Sequence, residues 1–314
     1  MKFVKLTVIF ALLFVAANAQ QTNRSIAITI DDLPVVSTRR DLKNHHEITL
    51  KLLAHLTKAR VPAIGFVNEN KLYNGENLDE KRVDLLRMWL DAGFDLGNHT
   101  FSHRSLNAIE LTDYEADLLR GELVTKRLLA SKKKTIKFFR HPFLQTGRSL
   151  QVKSDFDAFL KDHGFTIAPI TFDNADYIFS RAYDIAFDRK DSKLLKRVGG
   201  AYIPYMEKKL TYWERQSVRL LGREMSQTLL IHANFINSDY LDDLIAMFKR
   251  RGYRCVDLET ALNDEAYRLP DNFVGGAGIS WLHRWALDRG RENVLPDEPM
   301  VPDFVLKLSG FESE

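Results

Sequence analysis

The stretch Ile26 to Pro34, IAITIDDLP, is an apolar strand that ends in acid. Ile26, Ile28 and Ile30 alternate with Ala27 and Thr29, the pattern of a short, largely buried strand. Pro34 stops the ladder because it has no N–H to donate. Consecutive side chains on a strand point to opposite faces. Where the strand breaks into a loop that rule relaxes, and Asp31 and Asp32 can share one pocket. Two adjacent carboxylates repel each other and resist desolvation. A solvated Asp-Asp turn is the plain reading; a buried pair calls for a metal ion or a basic side chain.

Residues 1–19 read as a secretory leader. Lys2 and Lys5 form the positive region, Leu6 to Ala17 the apolar region, and Ala17-Asn18-Ala19 the cleavage signature. The apolar run is shorter than the roughly 20 residues a spanning helix needs, so cleavage and export to the periplasm or exterior are expected, with no stable membrane insertion. Losing Lys2 and Lys5 takes the formal charge from +3 to +1, which gives no electrostatic case for a nucleic-acid partner. Cys255 is the only cysteine, which excludes an intramolecular disulfide. In its strand-like setting, YRCVDL, it reads as a structural thiol.

Strands and helices then alternate. Helices are predicted at 42–59, 79–92, 112–129, 156–163, 240–249 and 258–263, with helices also filling much of 178–226. Short apolar strands are predicted at 62–68, 93–99, 136–144, 165–170, 227–231 and 253–256. His45 and His46 read as surface or capping residues of the first helix. This rhythm implies an α/β fold with parallel strands, a sheet or a barrel. Ligands in such folds gather at the carboxyl ends of the strands. His99 and His103 end the third strand as H-x-x-x-H, a spacing that brings two imidazoles about 5–6 Å apart at Cβ if helical. With the Asp pair they make a candidate Asp-His-His site for a catalytic divalent metal. Arg140 ends the fourth strand and suits whichever carboxylate the metal leaves free. His141 is the weaker candidate there. Asp173 and Asp176 follow the fifth strand, and His232 ends the sixth, a position for a general acid or for a core histidine bonded to a carbonyl.

Five segments in order, TIDD (Thr29–Asp32), HTFSH (His99–His103), RHPF (Arg140–Phe143), DNADY (Asp173–Tyr177) and LLIH (Leu229–His232), resemble the motifs of the polysaccharide deacetylase family. This is the NodB-homology domain of carbohydrate esterase family 4, and the resemblance covers about residues 24 to 262. It implies an irregular (β/α) barrel and a divalent metal, most often Zn2+, held by Asp32, His99 and His103. It implies Asp31 as general base oriented by Arg140, and His232 as general acid supported by Asp176. The chain departs from the family pattern at Leu33, His141, Leu144, Tyr177, Ala233 and Asn234. These positions form pocket walls, so they bear on substrate choice more than on hydrolysis.

The division expected is a leader at 1–19, a catalytic domain at 20–262 and a carboxyl-terminal extension at 263–314. In the extension, NFVGGAG (272–278) reads as a flexible hinge and 280–288 as a helix. Trp281 and Trp285 on that helix either pack it down or stack a sugar in the cleft. LPDEPMVPDF reads as an extended surface run. The expected activity is removal of acetyl groups from an N-acetylated sugar or glycan. Alternatives are the same site acting on an O-acetyl ester or a non-sugar amide, or a non-catalytic glycan-binding protein. Chain length of the substrate and oligomeric state are left open.

Overall fold

The computed structural model describes residues 24–39, 41–291 and 296–314, so the leader expected at 1–19 lies outside the described residues. The chain runs β1 (Ser25–Leu33), α1 (Leu42–Ala59), β2 (Ala63–Val67), a hairpin β3 (Tyr73–Asn74) and β4 (Asn77–Leu78), α2 (Glu80–Asp91) and β5 (Asp95–Asn98). It continues through α3 (Leu111–Arg120), α4 (Leu123–Ser131), β6 (Phe138–Phe139), α5 (Leu150–Asp162), β7 (Thr166–Ile167), α6 (Asp176–Asp188) and α7 (Ser192–Leu221). It closes with β8 (Gln227–His232), α8 (Phe235–Arg250), β9 (Arg254–Val256), α9 (Leu258–Leu262), α10 (Trp281–Asp288) and α11 (Asp303–Ser309).

The main sheet is parallel throughout, in the order β7-β6-β5-β2-β1-β8. It curls into half a barrel with helices around it. β1 is its centre and is buried along its whole length. One side of β1 pairs with β8; the other pairs with β9 at Ser25–Ala27 and with β2 from Ile28 onward. β7 and β8 are the two edges, and the gap is crossed by the segment after β7. There Phe172 makes a single parallel bridge to Leu229, and Thr171 and Phe172 donate N–H bonds to Thr228 O. Ile26, Ile28 and Ile30 join one large apolar cluster with α1, α6, α7 and α8, while Ala27 joins a smaller one. Each fully buried aliphatic side chain of this kind contributes about 1.5–3 kcal/mol.

Capping explains where several helices start. Asp41, Asp79, Ser149, Asp191, Asn234 and Asp257 accept N–H bonds from the first turns of α1, α2, α5, α7, α8 and α9. Ser149 begins α5 well before the predicted residue 156. The helix predicted over 112–129 is two helices, broken at Gly121 and Glu122. A Cβ at Gly121 would lie 2.4 Å from the backbone of Thr100 and Phe101, so this glycine lets the HTFSH loop pass. The buried Glu69 carboxylate then caps α4 through the N–H groups of Val124 and Thr125.

The fourth strand shrinks from the predicted 136–144 to Phe138–Phe139, and beyond it Pro142–Leu144 form a tight turn in which Phe143 and Leu144 take left-handed backbone angles (φ 56° and 52°). His45 is buried, against the surface reading, whereas His46 is exposed.

The tail differs most from its prediction. The glycine segment is bonded down: Asn107 donates to Gly275 O and Gln145 to Gly276 O. The proline-spaced run is not simply extended, since it leads into α11 and buries Val301 and Val305. Trp281 and Trp285 are both buried, which is the packing reading.

Candidate metal and acid–base site

The carboxyl ends of β1, β5, β6 and β8 converge on one cavity of about 700 Å³. Asp31 and Asp32 reach it together because β1 bulges at its end. Its register against β2 shifts between Ile30 and Leu33, and Asp32 is left-handed at φ 69°. That single twist cancels the strand alternation, so two neighbouring carboxylates share a side.

His99 and His103 come together on a loop, not on a helical turn. Thr100 and His103 are left-handed (φ 64° and 55°), and the loop is tied by His103 N–H to Thr100 Oγ1 and Thr100 N–H to Asn98 Oδ1. Ser102 adds two bonds to Asp117. The imidazole centroids lie 4.9 Å apart. His103 Nε2 is 3.5 Å and His99 Nε2 is 3.9 Å from Asp32 Oδ1. One donor atom from each of Asp32, His99 and His103 lies within 4.8 Å of the others.

This donor set fits a divalent ion. One carboxylate and two imidazoles leave coordination positions open. His99 Nδ1 lies 2.8 Å from Arg140 O, which places the ring proton there and leaves Nε2 free to ligate. Burial holds both imidazoles below the usual histidine range, in the neutral form that ligation requires. Asp32 Oδ1 is buried with no hydrogen-bond partner among the described residues. Burial opposes ionisation of Asp32, yet Lys71, His103 and His232 outweigh it and hold the carboxyl far below the ordinary value. Lys71 is a residue the sequence reading missed. Its ammonium donates to Asp32 O at 3.0 Å and sits 3.3 Å from Asp32 Oδ1, a built-in cation at the edge of the site.

Asp31 pairs with Arg140, and its Oδ2 also lies 3.9 Å from His99 Nε2. The guanidinium is wholly buried, 3.2 Å from Asp31 Oδ2, and donates to Thr29 Oγ1 at 3.0 Å. It lies over the Phe66 ring at 4.6 Å. Burial pushes the Asp31 carboxyl up to about 6, with Arg140 and His232 pulling the other way. His232 stands at the end of β8, opposite Asp31 in register. Its Nδ1 is 2.7 Å from Asp176 Oδ1, which leaves Nε2 toward the cavity. Asp176 also accepts from the His232 N–H, Asn234 and Asn237, so its charge is fully used. Burial disfavours the imidazolium, but Asp176 outweighs it and His232 is pushed up to about 9. Asn234, a departure from the family pattern, thus serves the acid pair.

His141 also lines the cavity, with both ring nitrogens buried and without a partner among the described residues. It lies among Tyr114, Phe139 and Phe156, away from the ligand cluster. The carboxyl of Asp173 is pushed up to about 6 by burial, and its carbonyl accepts from Trp213 Nε1. Neither tail indole lines the cavity; Ser280 and His283 of the same segment do.

An open parallel α/β half-barrel with a carboxylate–imidazole cluster beside a second acid and a charged histidine defines the class. Residues 18–168 match the family described as polysaccharide deacetylase, and that stretch of the chain belongs to it. No curated protein matches the chain. Among solved structures it is similar to the family 4 carbohydrate esterase from Streptomyces lividans in complex with acetate. That likeness has 15% identity over 76% of this chain and 96% of that one, with a TM-score of 0.47. The peptidoglycan deacetylase PdaC from Bacillus subtilis is similar at 16% identity over 79% and 94%, TM-score 0.48. A family 4 pseudoenzyme from Bacillus anthracis is similar at 15% identity over 76% and 66%, TM-score 0.45. No helix among the described residues is long and apolar enough to cross a membrane.

Proposed function

We propose that this protein is an exported hydrolase that removes acetyl groups from an N-acetylated sugar or glycan. Asp32, His99 and His103 would hold a divalent metal, Zn2+ being the best match to the donor set. The bound ion would supply Lewis-acid polarisation of the acyl carbonyl and a more acidic water. Asp31 takes the proton of the attacking water. Arg140 keeps that carboxylate ionised and aimed, because it is the largest of the charges that offset the burial of Asp31. His232 gives its Nε2 proton to the departing nitrogen. The hydrolysis balances as water plus amide yielding acetate and amine, with no covalent enzyme intermediate required.

The observation that carries this reading is the pairing of Asp31 and His232 at the ends of neighbouring strands in one cavity, the carboxyl bonded to Arg140 and the imidazole to Asp176, which pushes His232 up to about 9. A purely structural metal site needs no proton carriers, which argues against a non-catalytic binding protein. An amine leaves poorly without a proton, whereas an alcohol needs less help, so a His232 held protonated at neutral pH by Asp176 favours the amide over the O-acetyl ester. Acetate release from N-acetylglucosamine oligomers, compared with acetyl-xylan, tests the assignment. Release from acetyl-xylan alone would overturn it.

The alkaline limb of the pH profile should belong to His232. The acid is competent while protonated, so kcat/KM holds at neutral pH and falls as pH rises through about 9. Asp176→Asn removes the counter-charge and should move that limb down toward the ordinary histidine value of about 6.5. An unmoved limb in this variant would remove His232 from the acid role.

Lys71 should work against metal binding, since its ammonium neutralises the same carboxylate. In Lys71→Met, calorimetric titration with Zn2+ should show affinity tighter by about tenfold, some ~1.4 kcal/mol. Weaker binding would mean that Lys71 supports the site instead.

A further inference from the structure

Part of the cavity is untouched by the chemistry above, and residues 298–314 build its wall there. Glu298, Met300, Phe311 and Glu314 line it on the side of α6 and α7. Glu298 and Glu314 are held in place. The Glu314 carboxylate accepts from the Tyr205 hydroxyl at 2.7 Å and from the Val301 N–H at 2.8 Å. The Lys209 ammonium, 2% exposed, pairs with Glu314 and, at 2.6 Å, with Glu298. A desolvated ammonium between two carboxylates adds little net stability over apolar packing, but it fixes one geometry. At the mouth, the exposed rings of Phe311 and Tyr177 meet edge to face at 5.5 Å. The volume of about 700 Å³ lies within the roughly 300–1,000 Å³ of pockets that enclose small ligands.

Across the site, the tail fixes the facing loop as well. A Cβ at Gly278 would lie 1.7 Å from Phe143 O, so the backbones touch there. The buried Arg284 guanidinium bonds to Leu144 O and, at 3.1 Å, to Thr146 Oγ1. That contact holds the left-handed Phe143, whose ring stands 4.5 Å from His103.

We propose that the carboxyl-terminal residues make the site selective for a small N-acetylated sugar or the terminal unit of a chain. An internal unit must extend past the reacting groups in both directions, and on the α6–α7 side residues 298–314 form the wall that such a chain would meet. This inference rests on the deacetylase reading and names its substrate.

The test uses the metal-loaded protein and N-acetylated chitooligosaccharides from the dimer to the hexamer. Mass spectrometry locates each lost acetyl group, and calorimetry on the metal-free protein measures binding. Two variants are compared: one ending at Gly310, and Met300→Ala/Phe311→Ala, which alters only exposed side chains. Circular dichroism establishes that each is folded.

The wild type should deacetylate terminal units only, and the variants should reach internal units and raise the hexamer-to-dimer ratio of kcat/KM by about tenfold. Internal deacetylation by the wild type, or an unchanged ratio in both folded variants, would overturn the proposal. If the wild type binds oligomers and releases no acetate, the deacetylase reading fails alone. The binding ratio then decides the wall: a rise of about tenfold in the variants supports it, and no change overturns it.

Discussion

Alanine at His99 is expected to abolish divalent-metal binding and acetate release together. His99 is buried at the end of β5, and its Nδ1 is committed to Arg140 O, so Nε2 is the atom it offers to the site. Losing an outer partner of a metal ligand typically costs about 10–100-fold in affinity or activity; losing the ligand itself should exceed that. Metal content after dialysis, read by mass spectrometry, and acetate release would be measured side by side. A variant that keeps one equivalent of metal would remove His99 from the ligand set.

Asp31→Asn should separate the two functions. The substitution keeps size and shape but removes the base, so kcat should fall by about 10²–10⁴-fold, the range for a positioned acid or base. Metal content should be unchanged, because Asp32, His99 and His103 hold the cluster without it. Arg140 loses its buried counter-ion, so urea unfolding should show a less stable protein. Rates are therefore compared where both proteins are folded. Near wild-type turnover would assign the proton transfer elsewhere.

The tail bears on how engineered forms would behave. A protein ending near residue 262 would lose the wall at Glu298–Glu314 and also the Arg284 contacts that hold Leu144 and Thr146. Removing it therefore alters the floor of the cavity as well as one side.

Much of the site could be read along the chain. Alternation in IAITI marks the central strand, and Asp31, Asp32, His99, His103, Arg140 and His232 all fall at strand ends, which a parallel sheet gathers on one rim. Helix starts were legible at Asp41 and Asp79, whereas Ser149 and Asn234 cap helices that the sequence pattern begins only at 156 and 240. Other features failed to show for identifiable reasons. The break at Gly121 depends on a loop some twenty residues earlier passing against it. The H-x-x-x-H pair suggested a helical turn, and the close approach comes instead from two left-handed residues held by side-chain bonds.

By itself the sequence determined on which strand ends Asp31, Asp32, His99, Arg140 and His232 ride, because alternation and motif order are consequences of local stereochemistry. Only the tertiary structure decided that Asp32 twists to its neighbour's side, that Lys71 leans on it, and that Glu314 meets Lys209 inside the cavity. A lone lysine or a terminal glutamate leaves no pattern along the chain. Their environment is set by burial against elements far away in the sequence, and burial is a property of the whole packed molecule.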